Sequence, residues 1–212
     1  MNGELDALLA AGLEAMALPI AAADRQRLLA FLSLLAEWNR AYNLTAVRDP
    51  ADMVPRHLLD SLTVLPHLRG DRIVDVGSGA GLPGIPLAIA DAGRRYTLVE
   101  SNGKKVRFLR HAVLRLGLPH VEVLHGRAEA GGSSHPADTV VARAVTDLAQ
   151  LCAYARHLGG PAVRLVAMKG PDGEGELERL PADFTLGDII PVTVPGLSVD
   201  RRLIVLQRTP AR

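Results

Sequence analysis

The chain of 212 residues contains a single cysteine, Cys152, so no internal disulfide, cysteine-rich zinc site or cysteine-ligated iron–sulfur cluster can form within it. A reducing compartment fits, and a cytoplasmic protein without a metal site is expected. Aromatic residues are equally scarce. Three Phe, three Tyr and one Trp do not build an extensive stacking surface for splayed bases. Charge of one sign is lacking too: 24 Lys and Arg face 23 Asp and Glu, for a formal charge of +1. No whole-molecule field draws the protein onto a polyanion, and any nucleic-acid contact must come from a local patch. The apolar run 28–36 is too short to span a bilayer, and Met1-Asn2-Gly3-Glu4-Leu5-Asp6 lacks the basic start of a signal peptide. No membrane partner is expected. Repeats and low-complexity segments are absent as well. What remains, 48% hydrophobic and 22% charged, suits a soluble intracellular protein with a sizeable core.

Residues 1–70 read as a helical extension. Leu28, Phe31, Leu35, Trp38 and Tyr42 recur at steps of three and four, which aligns one apolar stripe and assigns Trp38 and Tyr42 to packing. Asp24 is the expected cap of that helix. A second helix is predicted over 50–68, with Pro50 in its first turn and Met53, Leu58, Leu62 and Leu65 as apolar contacts. From residue 71 onward, short apolar runs alternate with helix-length segments, the pattern of βα units around a parallel sheet. The expected strands are 72–76, 96–100, 121–124, 139–142 and 163–167, followed by a terminal antiparallel pair, 188–194 and 203–207, around Pro195-Gly196-Leu197-Ser198. Residues 170–175 read as a mobile loop and Gly131-Gly132-Ser133-Ser134 as a surface connection.

The most informative segment is Arg72-Ile73-Val74-Asp75-Val76-Gly77-Ser78-Gly79-Ala80-Gly81-Leu82-Pro83-Gly84, a strand entering glycines ahead of a helix expected over 86–90. Glycine permits positive φ and leaves no Cβ in a ligand's way, while the helix start offers unpaired N–H groups. Two cofactor classes fit. Gly79-x-Gly81-x-x-Gly84 satisfies the dinucleotide pattern, but that register puts bulky Leu82 where the third glycine belongs when counting starts at Gly77. Asp75-x-Gly77-x-Gly79-x-Gly81 instead resembles the first motif of Rossmann-like S-adenosylmethionine methyltransferases, so the register favours a methyl donor. Glu100, at the end of the next strand, is placed to accept both ribose hydroxyls of a bound adenosine. After the third strand, His125-Gly126-Arg127-Ala128-Glu129 occupies the adenine position. Arg127 replaces the customary Asp, which moves the expected contact to the Ala128 backbone and Glu129. Arg143 ends the fourth strand at the cofactor-facing edge, where donor binding and a loop-closing salt bridge are both open.

Missing motifs narrow the acceptor. Cys152 lies between Leu151 and Ala153 rather than in a Pro-Cys pair, and no Asn/Asp-Pro-Pro-aromatic loop occurs, which disfavours pyrimidine C5 and exocyclic-amine methylation. A ring nitrogen such as guanine N7 already presents an in-plane lone pair, so orientation and electrostatics suffice without a base. For RNA contact the candidates are Lys104, Lys105, Arg107, Arg110 and Arg115, with no acid between Ser101 and Gly117, and a second patch at Arg48, Arg56 and His57. The rivals are a nicotinamide-dependent oxidoreductase and a non-enzymatic ribosome-binding module.

Six blocks then carry a family resemblance: Asn43-Leu44-Thr45-Ala46-Val47, Arg56-His57-Leu58-Leu59-Asp60-Ser61-Leu62, the segment from Asp75 to Pro86, Lys105-Val106-Arg107-Phe108-Leu109, Arg143-Ala144 and Met168-Lys169-Gly170. Over most of its length the chain resembles the bacterial small-subunit ribosomal RNA guanine-N7 methyltransferases, also called glucose-inhibited division protein B. The resemblance implies an α/β Rossmann-like fold over 71–212, mostly parallel with terminal antiparallel strands, behind the helical extension. It implies S-adenosylmethionine contacts from Gly77, Leu82, Ala128, Glu129 and Arg143, beside the loop residues Ser78, Gly79 and Gly81 and the ribose-facing Glu100 read above, and methylation of a guanine N7 in a decoding-region loop of 16S rRNA. The substrate is the small subunit or an assembly intermediate, and a monomer is expected. Roles near RNA or donor are implied for His57, Asp60 and Lys169, with no residue assigned as a chemical catalyst.

Overall fold

The computed structural model describes residues 2–130, 135–143 and 146–209; the predicted connection Gly131–Ser134 lies outside them. Two helices open the chain, α1 (Asn2–Ala15) and α2 (Ala22–Tyr42). The stripe predicted on α2 is the buried one: Leu28, Phe31 and Leu35 are fully enclosed, and half-buried Trp38 stacks on Tyr42 with ring centroids 5.2 Å apart. Asp24 does not cap this helix. The N-cap is Ala21, without a side-chain bond, and Asp24 sits in the first turn facing Arg27. Asn43, in the left-handed region at φ 49°, ends α2 by returning its N–H to the Asn39 carbonyl.

The helix predicted over 50–68 is broken. Asp49 caps α3 (Pro50–Met53) by accepting the Ala51 N–H at 2.9 Å, but Pro55 has no N–H to continue the ladder. The chain widens into a π turn, Val54–Leu59, before the short α4 (Asp60–Leu62) and a 3-10 turn, Leu65–His67. This segment turns His57, Asp60 and Ser61 inward, where all three are buried.

The remainder alternates β1 (Arg72–Val76), α5 (Gly84–Ala90), β2 (Arg95–Glu100), α6 (Gly103–Arg115), β3 (Val121–His125), β4 (Ala137–Arg143), α7 (Leu148–Leu158), β5 (Gly159–Lys169), β6 (Phe184–Val192) and β7 (Arg201–Arg208). They form one seven-stranded sheet in the order β3-β2-β1-β4-β5-β7-β6. β1 to β5 are parallel, and β7 runs antiparallel to both β5 and β6. The predicted terminal pair is present, with β6 reaching back to Phe184 across an irregularity at Gly187. The predicted loop 170–175 is instead part of a 3-10 segment, Pro171–Arg179, because Gly173 packs on Lys169 and the segment is pinned by Glu174–Arg202 and Glu176–Lys169 ion pairs.

Each face of the sheet has its own core. Ile73, Tyr96 and Leu98 join Leu9, Leu28 and Phe108 beneath α1, α2 and α6, whereas Val74, Val76, Val99 and Val140 pack against Leu151, Cys152 and Ala155 of α7. Strand order reverses between β1 and β4, and the crevice at the carboxyl ends of these strands is where open parallel sheets bind ligands.

Candidate functional site

At that crevice β1 gives way to three glycines in the left-handed region: Gly77 at φ 67°, Gly79 at 56° and Gly81 at 83°. The loop is rigid by its own hydrogen bonds. Gly77 and Ser78 both donate N–H to the Val99 carbonyl, at 2.9 and 3.2 Å, and Gly81 and Leu82 donate to the Ser78 carbonyl. The Ser78 hydroxyl donates to the Asp75 carbonyl. Glu100 fixes the loop tip, with Oε2 accepting the Gly79 N–H at 2.8 Å and Oε1 the Asn102 N–H at 2.7 Å. Below, Asp75 Oδ2 accepts the Gly84 N–H at 3.0 Å, tying the start of α5 to β1. Asp75 is 1% exposed and its Oδ1 has no hydrogen-bond partner among the described residues. Burial pushes its carboxyl up to about 7, against the opposing Gly84 N–H.

Beside the loop lies a cleft of about 260 Å³ lined by Val76, Gly77, Val99, Ser101, Gly126, Arg127, Ala128, Glu129 and Tyr154. Its floor is apolar strand ends and its rim is polar, the combination an adenosine requires. A Cβ placed on Gly79 would meet nothing nearer than the Gly77 carbonyl oxygen at 3.7 Å and Lys105 Nζ at 3.9 Å. Open space above bare backbone is the cradle a close-fitting ligand needs. A second constellation joins the helical extension to the sheet. Asp60 is buried between two arginines, Arg143 Nη1 at 3.0 Å and Arg201 Nε at 3.2 Å, and Arg143 also donates to the Arg56 carbonyl. His57 Nε2 lies 2.9 Å from Thr45 Oγ1. Burial, reinforced by the Arg143 charge, pulls the imidazole down to about 4, so His57 is neutral at physiological pH.

The GidB family model, described as rRNA small subunit methyltransferase G, matches residues 24–205. The chain belongs to this family. It is 48% identical over 202 residues to the Ribosomal RNA small subunit methyltransferase G of Pseudomonas paraeruginosa, covering 95% of this chain and 94% of that protein. The protein of the same name in Nitrosospira multiformis is 48% identical over 207 residues, covering 94% of this chain and 96% of its own. Among solved structures, the O-methyltransferase TomG of Streptomyces achromogenes, crystallised with SAM, superposes with a TM-score of 0.59 at 18% identity, covering 94% and 96% of the two chains. MtNAS, in complex with MTA and tNA, gives 0.59 at 17% identity, covering 84% and 71%. At such identities these two share the fold, which is the Rossmann-like sheet expected.

In this GidB-family chain the residues predicted around the donor fall into two groups. Gly77, Ala128 and Glu129 line the cleft, and Gly79 and Glu100 sit at its loop. Ser78 and Leu82 are buried, so they present backbone rather than side chain. Arg143 is engaged by Asp60, which realises the salt bridge left open above. Among the predicted RNA contacts, Lys104, Arg107, Arg110 and Arg56 are exposed. Lys105 is half-buried with its ammonium beside Gly79, and His57 is enclosed. Lys169 is held by the Thr146 carbonyl at 2.6 Å and by Glu176 at 2.8 Å. Sequence reasoning missed Arg127 as a cleft residue in its own right, the partnership of Asp60 with Arg201, and Tyr154. The first stood inside a quoted motif; the other two carry no local signal.

Proposed function

We propose that this GidB-family protein transfers a methyl group from S-adenosylmethionine to N7 of a guanine in 16S rRNA, within the small subunit or an assembly intermediate, acting as a cytoplasmic monomer. The observation that carries this reading is the side-chain-free loop at Gly77, Gly79 and Gly81, open above Gly79 and continuous with an adenosine-sized cleft. No helix among the described residues is long and apolar enough to cross a membrane.

When bound, the sulfonium donor supplies an electrophilic methyl that leaves with the positive charge passing to guanine N7 and S-adenosylhomocysteine as the other product. The chain's own part is binding and orientation. Gly77, Gly79 and Gly81 hold the donor's amino-acid end against bare backbone, and the Glu100 carboxylate, already fixing the Gly79 N–H, has lone pairs left for the ribose hydroxyls. Ala128 and Glu129 meet the adenine. N7 has no proton to lose, so no general base is required. Phosphates are met by the exposed stripe of Lys104, Arg107 and Arg110 on α6, with Arg56 adding a contact across the crevice. His57, Asp60 and Lys169, enclosed and bonded, act by shaping the acceptor side rather than by touching phosphate.

The deciding experiment incubates the protein with labelled S-adenosylmethionine and small subunits from a strain lacking the modification, then maps the methylated nucleotide. Label on guanine N7 of 16S rRNA is expected. NADH binding without S-adenosylmethionine binding, or donor binding with no transfer to any subunit preparation, would overturn the proposal.

A further inference from the structure

We propose that Tyr154 is the adenine-facing wall of the donor cleft, an aromatic platform delivered from α7; this rests on the cofactor reading above. β3 ends at His125 and β4 begins at Ala137, and the described part of that link contains one 3-10 turn, Ala128–Ala130, whose Ala128 packs with Val76 and Val99 on the second face of the sheet. The next element over that face is α7, which buries Leu148, Leu151, Cys152, Ala155 and Leu158. Tyr154 is on the flank of this helix that borders the cleft, and its half-buried side chain lines the cavity together with Val76, Gly77, Val99 and Ala128.

Glu129, in the 3-10 turn, and Gln150, one turn earlier on α7, are the polar neighbours of the Tyr154 hydroxyl. Burial, with the Glu129 carboxylate beside it, raises the phenol above its ordinary range. A ring with two rotatable bonds gives a flat apolar face at low entropic cost. With so few aromatics in the chain, one set at the rim of the cavity beside the glycine loop is unlike the packing aromatics Trp38, Phe31 and Phe108, whose tilted rings contact one another beneath the opposite face.

The test measures the full-length protein against two ligands that share adenosine, S-adenosylhomocysteine and 5′-methylthioadenosine, by calorimetry. Tyr154→Ala is expected to weaken both by the same factor, at least about fivefold. Tyr154→Phe, which keeps the ring, is expected within about twofold of wild type. Tyr154→Trp adds an indole to a chain whose one natural Trp38 is packed on α2. Its fluorescence is expected to quench on adding S-adenosylhomocysteine, with wild-type emission unchanged. Equal binding by Tyr154→Ala, loss for S-adenosylhomocysteine alone, or a Phe variant as weak as the Ala variant would overturn the proposal. Should Tyr154→Ala fail to fold, an unquenched Trp variant overturns it equally. Failure of the cofactor reading itself would show differently, as a wild-type protein that binds neither ligand.

Discussion

Replacing Gly79 by alanine separates the two reasons a glycine can be needed. At φ 56° an L-residue is strained by about 1–2 kcal/mol, while the methyl group restricts the unfolded chain and returns about 0.4–1 kcal/mol. No steric cost is added, since the new Cβ would stand 3.7 Å from its nearest neighbour, an ordinary contact. The net loss is about 1 kcal/mol, which for a chain of this size lowers Tm by roughly 2–4 °C. Donor affinity should fall much further, because a ligand resting on the bare Cα would overlap the added methyl: at least about tenfold, or roughly 1.4 kcal/mol. Gly117→Ala is the matched control. That residue has φ 62° and nothing within 4 Å of its Cβ position, at the far end of α6. Calorimetric titration with S-adenosylhomocysteine and differential scanning calorimetry on both variants complete the comparison. Equal Tm shifts with affinity lost only in Gly79→Ala are expected. Wild-type affinity in Gly79→Ala would mean that the donor does not lie on this loop, whatever its shape.

Gly84→Ala should behave inversely, because its Cβ would fall 2.3 Å from Leu98 Cδ2 and 2.7 Å from Asp75 Oδ2; overpacking of about 1–3 kcal/mol is expected in urea unfolding. Asp60→Ala strands two arginines and removes a buried ion pair, costing about 3 kcal/mol in the same assay, the low end because Arg201 is a third exposed and Arg143 keeps the Arg56 carbonyl. Lys104→Ala with Arg107→Ala should weaken small-subunit binding and flatten its dependence on salt, read from the slope of log affinity against log salt concentration. For pH, Asp75 carries a folded value raised to about 7 from 3.8, so its contribution is complete below pH 3.8 and is lost as pH rises to 7. His57, lowered to about 4 from 6.5, contributes fully above 6.5 and loses it as pH falls to 4. The two slopes oppose each other, so stability measured from pH 4 to 6.5 should rise more steeply with pH in Asp75→Asn than in wild type, and less steeply, or fall, in His57→Gln.

The strands were legible because burial on both faces demands short β-branched runs, and β1 begins and ends where Ile73, Val74 and Val76 placed it. What depended on one residue's backbone was less so. Pro55 reads as a blurred helix boundary, and only the folded chain shows that its missing N–H widens the turn into a π geometry that points His57, Asp60 and Ser61 inward together. The last pair was expected to open at 188, yet β6 begins at Phe184 and carries Gly187 at an irregularity within the strand. The donor loop was legible because its chemistry is local in sequence. The acceptor side was not: Asp60 and Arg201 are 141 positions apart, and Lys169 finds its carboxylate partner, Glu176, in a 3-10 segment whose Gly, Asp and Pro residues read as a loop.

The glycine motif itself shows the limit most sharply. As a string, Gly77, Gly79, Gly81 and Gly84 form one signal, and either of two cofactor patterns can be laid over it. In the fold they divide. Gly84 has no room for a Cβ against Asp75 and Leu98, and Gly81 has none against Ile85, so these two are required by the joining of α5 to the sheet whether or not anything binds. Gly79 alone of the three faces open space. A spacing rule that counts all four equally therefore mixes a packing requirement with a binding one, and Asp75, which holds the Gly84 N–H, belongs to the packing part; the choice between dinucleotide and methyl donor rests on what packing does not explain, a glycine tip at Gly79 and a Glu100 carboxylate that grips that tip.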